Sequence, residues 1–298
     1  MSGKECINGT PPRIVRGGVL VQKGRNAPIA VLDSGVGGIA VLAEARRRLV
    51  HENFLYFGDG VMSPYGEKDP GAVRGIVTAH AKRLLCHCKA LLIACNTATA
   101  VAADALRAAY PHTPIIGMEP ALRPALAVAK HPRILVLATS TTLAEVRFSR
   151  MLARFGDRAQ ILPLAAPLLV RLVEEEAMES PRMTAYLSEL LAPYTGKNTP
   201  DAVVLGCTHF PFARHDIDSF FQGRVPILDG AAGTVRQLAR RLREAGLARS
   251  PDSRGYCMLT SGDPLVLPRY RRMLLRVNPT EAGAAEWAEC RDPRARQA

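Results

Sequence analysis

A chain of 298 residues with 48% hydrophobic, 22% charged and only 5% aromatic side chains has the composition of an ordinary globular protein, and at roughly 150 residues per domain it predicts two domains. That composition excludes collagen-like, coiled-coil and disulfide-framework classes, and no stretch approaches the ~20 consecutive apolar residues of a membrane span. The 39 basic and 27 acidic residues leave a formal charge of +12, but only seven of the basic residues are lysines. The arginines are scattered over helices, as at Arg46, Arg47 and Arg48, rather than interleaved with aromatics, so the charge reads as solvated surface with some attraction for small anions and no nucleic-acid partner is expected.

Met1 to Ala27 carries Gly, Pro and charges where a signal peptide would carry its apolar stretch, so a cytoplasmic protein without a membrane partner is expected. Seven cysteines, an odd number in a chain of this length, point to free thiols. The leader, residues 1–28, and the end of the chain beyond about Arg276 are expected to be mobile extensions.

From Ile29 onward, short apolar runs alternate with longer helical patterns. The runs Ile29 to Leu32, Phe54 to Phe57, Ala90 to Ala94, Pro114 to Gly117, Arg133 to Ala138, Ala159 to Leu162, Ala202 to Gly206 and Val225 to Leu228 are predicted strands. Between the first two, Ile39 to Val50 places Leu42, Ala45 and Leu49 on one helical face and Glu44, Arg47 and Arg48 on the other. The fold class is α/β with parallel sheets.

Ligands of open parallel sheets bind beyond the carboxyl ends of the strands, which makes the residues after each strand the first to read. They are Asp33-Ser34-Gly35-Val36-Gly37-Gly38, Gly58-Asp59, Cys95-Asn96-Thr97, Thr139-Ser140-Thr141-Thr142, Cys207-Thr208-His209 and Asp229-Gly230. Small, polar and nucleophilic side chains recur at nearly every exit. Two pairs of exits look alike: Ala94-Cys95-Asn96-Thr97 and Gly206-Cys207-Thr208-His209 are 112 positions apart, and Asp33-Ser34 and Thr139-Ser140 are 106 apart. Near-equal offsets suggest two similar halves.

Cys95 and Cys207 are therefore expected at one crevice, one from each half. A helix N-terminus beyond each strand should lower the thiol pKa from its usual ~8.5. Two thiols facing each other across a ligand can act together, one removing a proton from carbon and the other delivering a proton to the opposite face, which inverts a stereocentre. At near-attack distances of about 3 to 3.5 Å from the carbon, the sulfurs would stand roughly 6 to 8 Å apart around a substrate. Asp33 and His209 are the partners placed to tune them. Cys207 and His209 are not expected to face each other as a nucleophile and base, being two residues apart at a strand end. Ser34, Asn96, Thr97, Thr139, Thr142 and Thr208 offer hydroxyls and amides for a carboxylate, although such residues also serve as ordinary helix caps. Cys86-His87-Cys88 lacks a second liganding pair, so no metal is expected, and the Gly35 to Gly38 stretch lacks the spacing of a dinucleotide or Walker site.

These motifs, with Pro64-Tyr65-Gly66, Glu119-Pro120, Phe210-Pro211 and the Thr260 to Pro264 stretch, resemble the glutamate racemases of the aspartate/glutamate racemase superfamily in order and approximate spacing. The resemblance implies two flavodoxin-like parallel-sheet domains related by a pseudo-twofold, with the active site in the cleft between them. One domain would comprise 29–119 plus 229–298 and the other 120–228. It implies interconversion of L- and D-glutamate without a cofactor, supplying D-glutamate for peptidoglycan, with an aspartate or other amino-acid racemase as the alternative. A homodimer is also implied. Cys95 and Cys207 match the family's acid/base cysteines, Asp33 and His209 the residues assisting them, and Glu174 a further carboxylate. Substrate contacts would fall on Ser34, Pro64, Tyr65, Gly66, Asn96, Thr97, Thr139, Thr142 and Thr208. The chain departs from the family pattern at Gly60, Met62-Ser63, Ala166, Arg171 and Phe210.

Overall fold

The computed structural model describes residues 24–277 and the backbone of 288–289. The expected mobility of residues 1–23 and of the last twenty or so positions lies outside the described residues.

Two parallel sheets form the frame. The first has six strands in the order β10-β9-β2-β1-β3-β4, and the second has four in the order β6-β5-β7-β8. In chain order these are β1 Ile29–Asp33, β2 Phe54–Gly58, β3 Ala90–Ile93, β4 Ile115–Gly117, β5 Arg133–Ala138, β6 Gln160–Ala165, β7 Ala202–Leu205, β8 Ile227–Asp229, β9 Cys257–Ser261 and β10 Ala288–Glu289. The sub-order β2-β1-β3-β4 recurs as β6-β5-β7-β8. Cys95 follows β3 and Cys207 follows β7, so the two cysteines leave equivalent strands of the two sheets. Asp33 ends β1 and Thr139 follows β5, the equivalent pair at the sheet centres.

Alternation within the strands explains why the apolar runs are nearly continuous. Val31, Leu92, Leu137 and Leu205 point into one hydrophobic cluster shared by both sheets. Their neighbours Leu32 and Ile93 point to the opposite face of the first sheet, and Val136 and Val204 to the opposite face of the second. Both faces are covered, as parallel sheets require.

The chain crosses between sheets after β4 and again after β8, and the crossings touch. A Cβ at Gly230 would lie 2.3 Å from the Glu119 carbonyl oxygen, so only glycine allows this approach. Among the described residues no helix is long and apolar enough to cross a membrane.

Candidate active site

The strand exits of the two sheets meet around a buried cavity lined by Ser34, Pro64, Tyr65, Gly66, Cys95, Asn96, Thr97, Thr139, Val170, Cys207, Thr208 and His209. All but Val170 are predicted site residues. Three predicted residues stand behind this lining: Asp33 beneath Thr208, Thr142 beneath Thr97 and Thr139, and Glu174 beyond His209.

Cys95 occupies the N-cap of the helix Asn96–Ala109, where Sγ accepts a hydrogen bond from the Ala98 N–H at 3.4 Å. Sulfur takes the place that serine or aspartate oxygen usually fills. The effect on acidity is opposite to the sequence expectation: burial and the charge of Asp33 push the Cys95 thiol up, outweighing the Ala98 N–H and the Ser34 hydroxyl. A helix N-terminus cannot offset complete burial beside a carboxylate.

Cys207 has different company. His209 Nδ1 lies 3.7 Å from its Sγ, so the two residues do face each other, contrary to the sequence expectation. His209 adopts the right-handed helical conformation at the start of the short helix Phe210–Ala213, and this turn brings the ring back toward the sulfur. Its Nε2 lies 2.8 Å from Glu174 Oε1. Burial opposes the charge of His209, but its hydrogen bonds to Cys207 and Glu174 carry its pKa well above the ordinary histidine value. Burial likewise penalises ionised Glu174, yet His209, Arg269 and the Val36 N–H hold its carboxyl below the usual range.

Asp33 joins the sides. Its Oδ2 accepts from the Gly35 N–H at 3.0 Å and its Oδ1 from the Thr208 hydroxyl at 3.2 Å. Burial raises its pKa, against the lowering effects of His209 and the Gly35 and Gly38 N–H groups. The backbone is tight here: a Cβ at Gly37 would fall 2.5 Å from His209 Nδ1 and 2.6 Å from the Thr208 hydroxyl.

On the facing wall, the Thr97 hydroxyl lies 3.0 Å from that of Thr139 and 3.1 Å from that of Thr142, with Thr139 and Thr142 2.9 Å apart. This cluster bridges the two sheets' exits. Thr139 also caps its helix by accepting the Thr142 N–H, so capping and lining coincide. Gly66 packs against Thr139, and its carbonyl accepts from the Thr141 hydroxyl at 2.8 Å. Tyr65 is fixed from behind by Asp59, which accepts its hydroxyl at 2.8 Å and pairs with His80 at 3.0 Å. The Asn96 side-chain oxygen and nitrogen are buried with no hydrogen-bond partner. Orphaned buried amides are costly, so a polar ligand is the natural complement of this wall.

A second cavity, sharing Pro64 and Val170 with the first, is lined also by Gly60, Ser63, Arg171, Glu174, Glu175 and Arg269. Arg171 reaches over to Glu67 with paired hydrogen bonds of 3.0 and 2.6 Å. Sequence reasoning missed Val170, Arg269 and the Asp59–His80 support. No local pattern marks Val170 or Arg269, whereas Asp59 sits at a strand exit and its position was the available signal. Among the described residues no group of three or more His, Cys, Asp or Glu is placed to hold a metal ion.

Fold and site define a two-sheet α/β enzyme with a thiol from each sheet in one buried cavity. The family model described as Asp/Glu/Hydantoin racemase matches residues 40–238. A glutamate racemase of Clostridium acetobutylicum is 40% identical over 253 residues, covering 84% of this chain and 98% of that protein. The crystal structure of glutamate racemase from Thermus thermophilus in complex with β-chloro-D-alanine superposes with a TM-score of 0.72 at 35% identity, covering 86% of this chain and 94% of that one. That of Escherichia coli glutamate racemase, in complex with L-glutamate and the activator UDP-MurNAc-Ala, gives 0.71 at 29% identity, covering 88% and 97%. The chain belongs to the Asp/Glu/hydantoin racemase family.

Proposed function

We propose that this protein is a two-base racemase that interconverts L- and D-glutamate, with Cys95 and Cys207 as acid and base. The observation that carries the reading is one cavity holding both thiols, with an anion partner beside Cys95 and a cation partner beside Cys207. A charged imidazole next to sulfur favours the thiolate, and a carboxylate next to sulfur favours the thiol. Burial and the charge of Asp33 therefore keep Cys95 as the acid of the pair. The Cys207 thiolate takes the α-proton, the electron pair stays on the flattened α-carbon, and the Cys95 thiol gives its proton to the opposite face. The reverse reaction exchanges these roles.

Ser34, Asn96, Thr97, Thr139 and Thr208, with the backbone at Tyr65-Gly66, supply neutral donors for the substrate's carboxylates and hydroxyl or amide oxygens that accept from its ammonium group. Asp33, His209 and Glu174 set the charge around the sulfurs. The bodies that close on the substrate are 29–119 with 229–298, and 120–228, a division supported by the two crossings that meet at Glu119 and Gly230. Relatives named glutamate racemase and a neighbour solved with L-glutamate support glutamate as substrate. With that substrate the product serves peptidoglycan synthesis, in a cytoplasmic homodimer that needs no cofactor.

The test is optical: the purified, chelator-treated protein is incubated with L-glutamate, D-glutamate, L-aspartate or D-aspartate, and the rotation is followed. Decay of both glutamate enantiomers toward zero rotation is expected, with aspartate much slower. Faster decay of aspartate would favour the shorter acid, and constant rotation of all four would refute the reading.

A further inference from the structure

The helix Leu267–Val277 carries Arg269, Arg272 and Arg276 on one side, and these meet Glu174, Glu176 and Glu179 in order. The outer two rungs are exposed pairs, which hold little energy in water. The inner rung differs. Arg269 Nη2 lies 2.9 Å from Glu174 Oε2, and its Nη1 donates to the Glu174 main-chain carbonyl at 2.8 Å. The guanidinium thus grips both ends of one residue, a fork geometry that lysine cannot reproduce. Glu174 has its oxygens divided: Oε2 faces Arg269, while Oε1 faces His209 Nε2 and the Val36 N–H.

We propose that Arg269 is a positioning residue of the reaction, holding Glu174 so that Oε1 fixes the His209 ring against Cys207 while the guanidinium shares the Glu174 charge with the ring. The inference rests on the racemase reading above for its kinetic part. Arg269 enters from a helix 60 residues beyond Cys207 in the chain and touches neither sulfur. It acts through geometry and through charge. The groups facing His209 are Cys207, Glu174 and Asp33, and Tyr56 and Tyr270 lie within the field of Glu174. Arg269 is the cation that shares the Glu174 charge with His209. Its removal leaves that charge to the imidazole alone, and the histidine should then hold its proton to higher pH.

Three variants separate these effects. Arg269→Met removes grip and charge, Arg269→Lys keeps the charge but cannot donate to both acceptors, and Arg272→Met breaks a neighbouring rung of the same helix. We expect Arg269→Met to lower kcat about tenfold with KM within about twofold, Arg269→Lys to lower kcat about threefold, and Arg272→Met to leave both within about twofold. Nitrogen-15 NMR of the His209 ring, read without substrate, should show its midpoint rising by about half a pH unit in Arg269→Met and staying near wild type in Arg269→Lys. Should the methionine variant not fold, Arg269→Gln takes its place. An unmoved His209 midpoint, or a kcat no lower than that of Arg272→Met, would overturn the proposal. A wild type that racemises no glutamate defeats the functional reading alone, because the ring titration still tests the link between Arg269 and His209.

Discussion

Glu174 and His209, 35 residues apart in sequence, are joined by a 2.8 Å hydrogen bond from ring to carboxylate on the far side of the ring from Cys207. The pairing is buried at the histidine and partly buried at the glutamate. It makes the charge on the Cys207 side a property of the folded state, and its pH dependence follows.

The His209 pKa is raised in the fold, because the bonds to Cys207 and Glu174 outweigh burial. A group of this kind contributes stability that is complete below its unfolded value of about 6.5 and is lost as pH rises through the folded value. Glu174 is lowered in the fold, with its partners outweighing burial, so its contribution is present above about 4.3 and is lost as pH falls through the folded value. The pair is therefore strongest from about pH 4.3 to 6.5. Urea unfolding of wild type and His209→Asn at pH 5.8, 7.5 and 9.0 should show a stability difference that shrinks with rising pH. A gap that stayed constant would mean that the imidazole titrates alike in the folded and unfolded chain, and one that grew with pH that it is held neutral in the fold.

The threonine cluster yields a second prediction. Thr139→Val keeps the shape against Gly66 but removes one hydroxyl of the bridge and the cap of its helix. Loss of the cap should cost about 1 kcal/mol in chemical unfolding. KM for glutamate should rise by about tenfold, the value of one good hydrogen bond to a charged ligand. A variant with unchanged KM would place the substrate's carboxylates elsewhere.

Gly37→Ala tests the packing behind the histidine. Its Cβ would lie 2.5 Å from His209 Nδ1, closer than atoms tolerate, and the ring must move. Since Gly37 has φ −56°, the backbone itself accepts alanine. The expected result is a loss of kcat of about tenfold or more with a stability change under about 2 kcal/mol. Wild-type turnover would show that the position of the ring does not matter.

Much of the frame was readable because buried parallel strands are continuous apolar runs with polar exits. β1 to β5 and β7 fall within a residue or so of the runs that predict them. β6 continues through Pro163 to Ala165, past the predicted end at Leu162. It is an edge strand paired only with β5, where a missing N–H is harmless. β8 begins at Ile227 rather than Val225. β9, with alternate residues half-exposed, has a weaker signal and was absent from the predicted strands. At the site, the exit residues announced themselves through position and residue type. The acidity of Cys95 did not, because burial and the approach of Asp33 depend on packing. Nor did the contact of Cys207 with His209, which depends on one turn's conformation, or the grip of Arg269 on Glu174, which only the folded terminal helix creates.

The most direct test of opposed thiols is α-hydrogen exchange in D₂O, followed by mass spectrometry on separated enantiomers from early turnover of L-glutamate. The wild type should give D-glutamate carrying one solvent deuterium at the α-carbon, and Cys95→Ala and Cys207→Ala should each lose inversion by at least about 10²-fold. Inversion at near wild-type rate in either variant, or D-glutamate that retains the original hydrogen in every early turnover, would contradict the account.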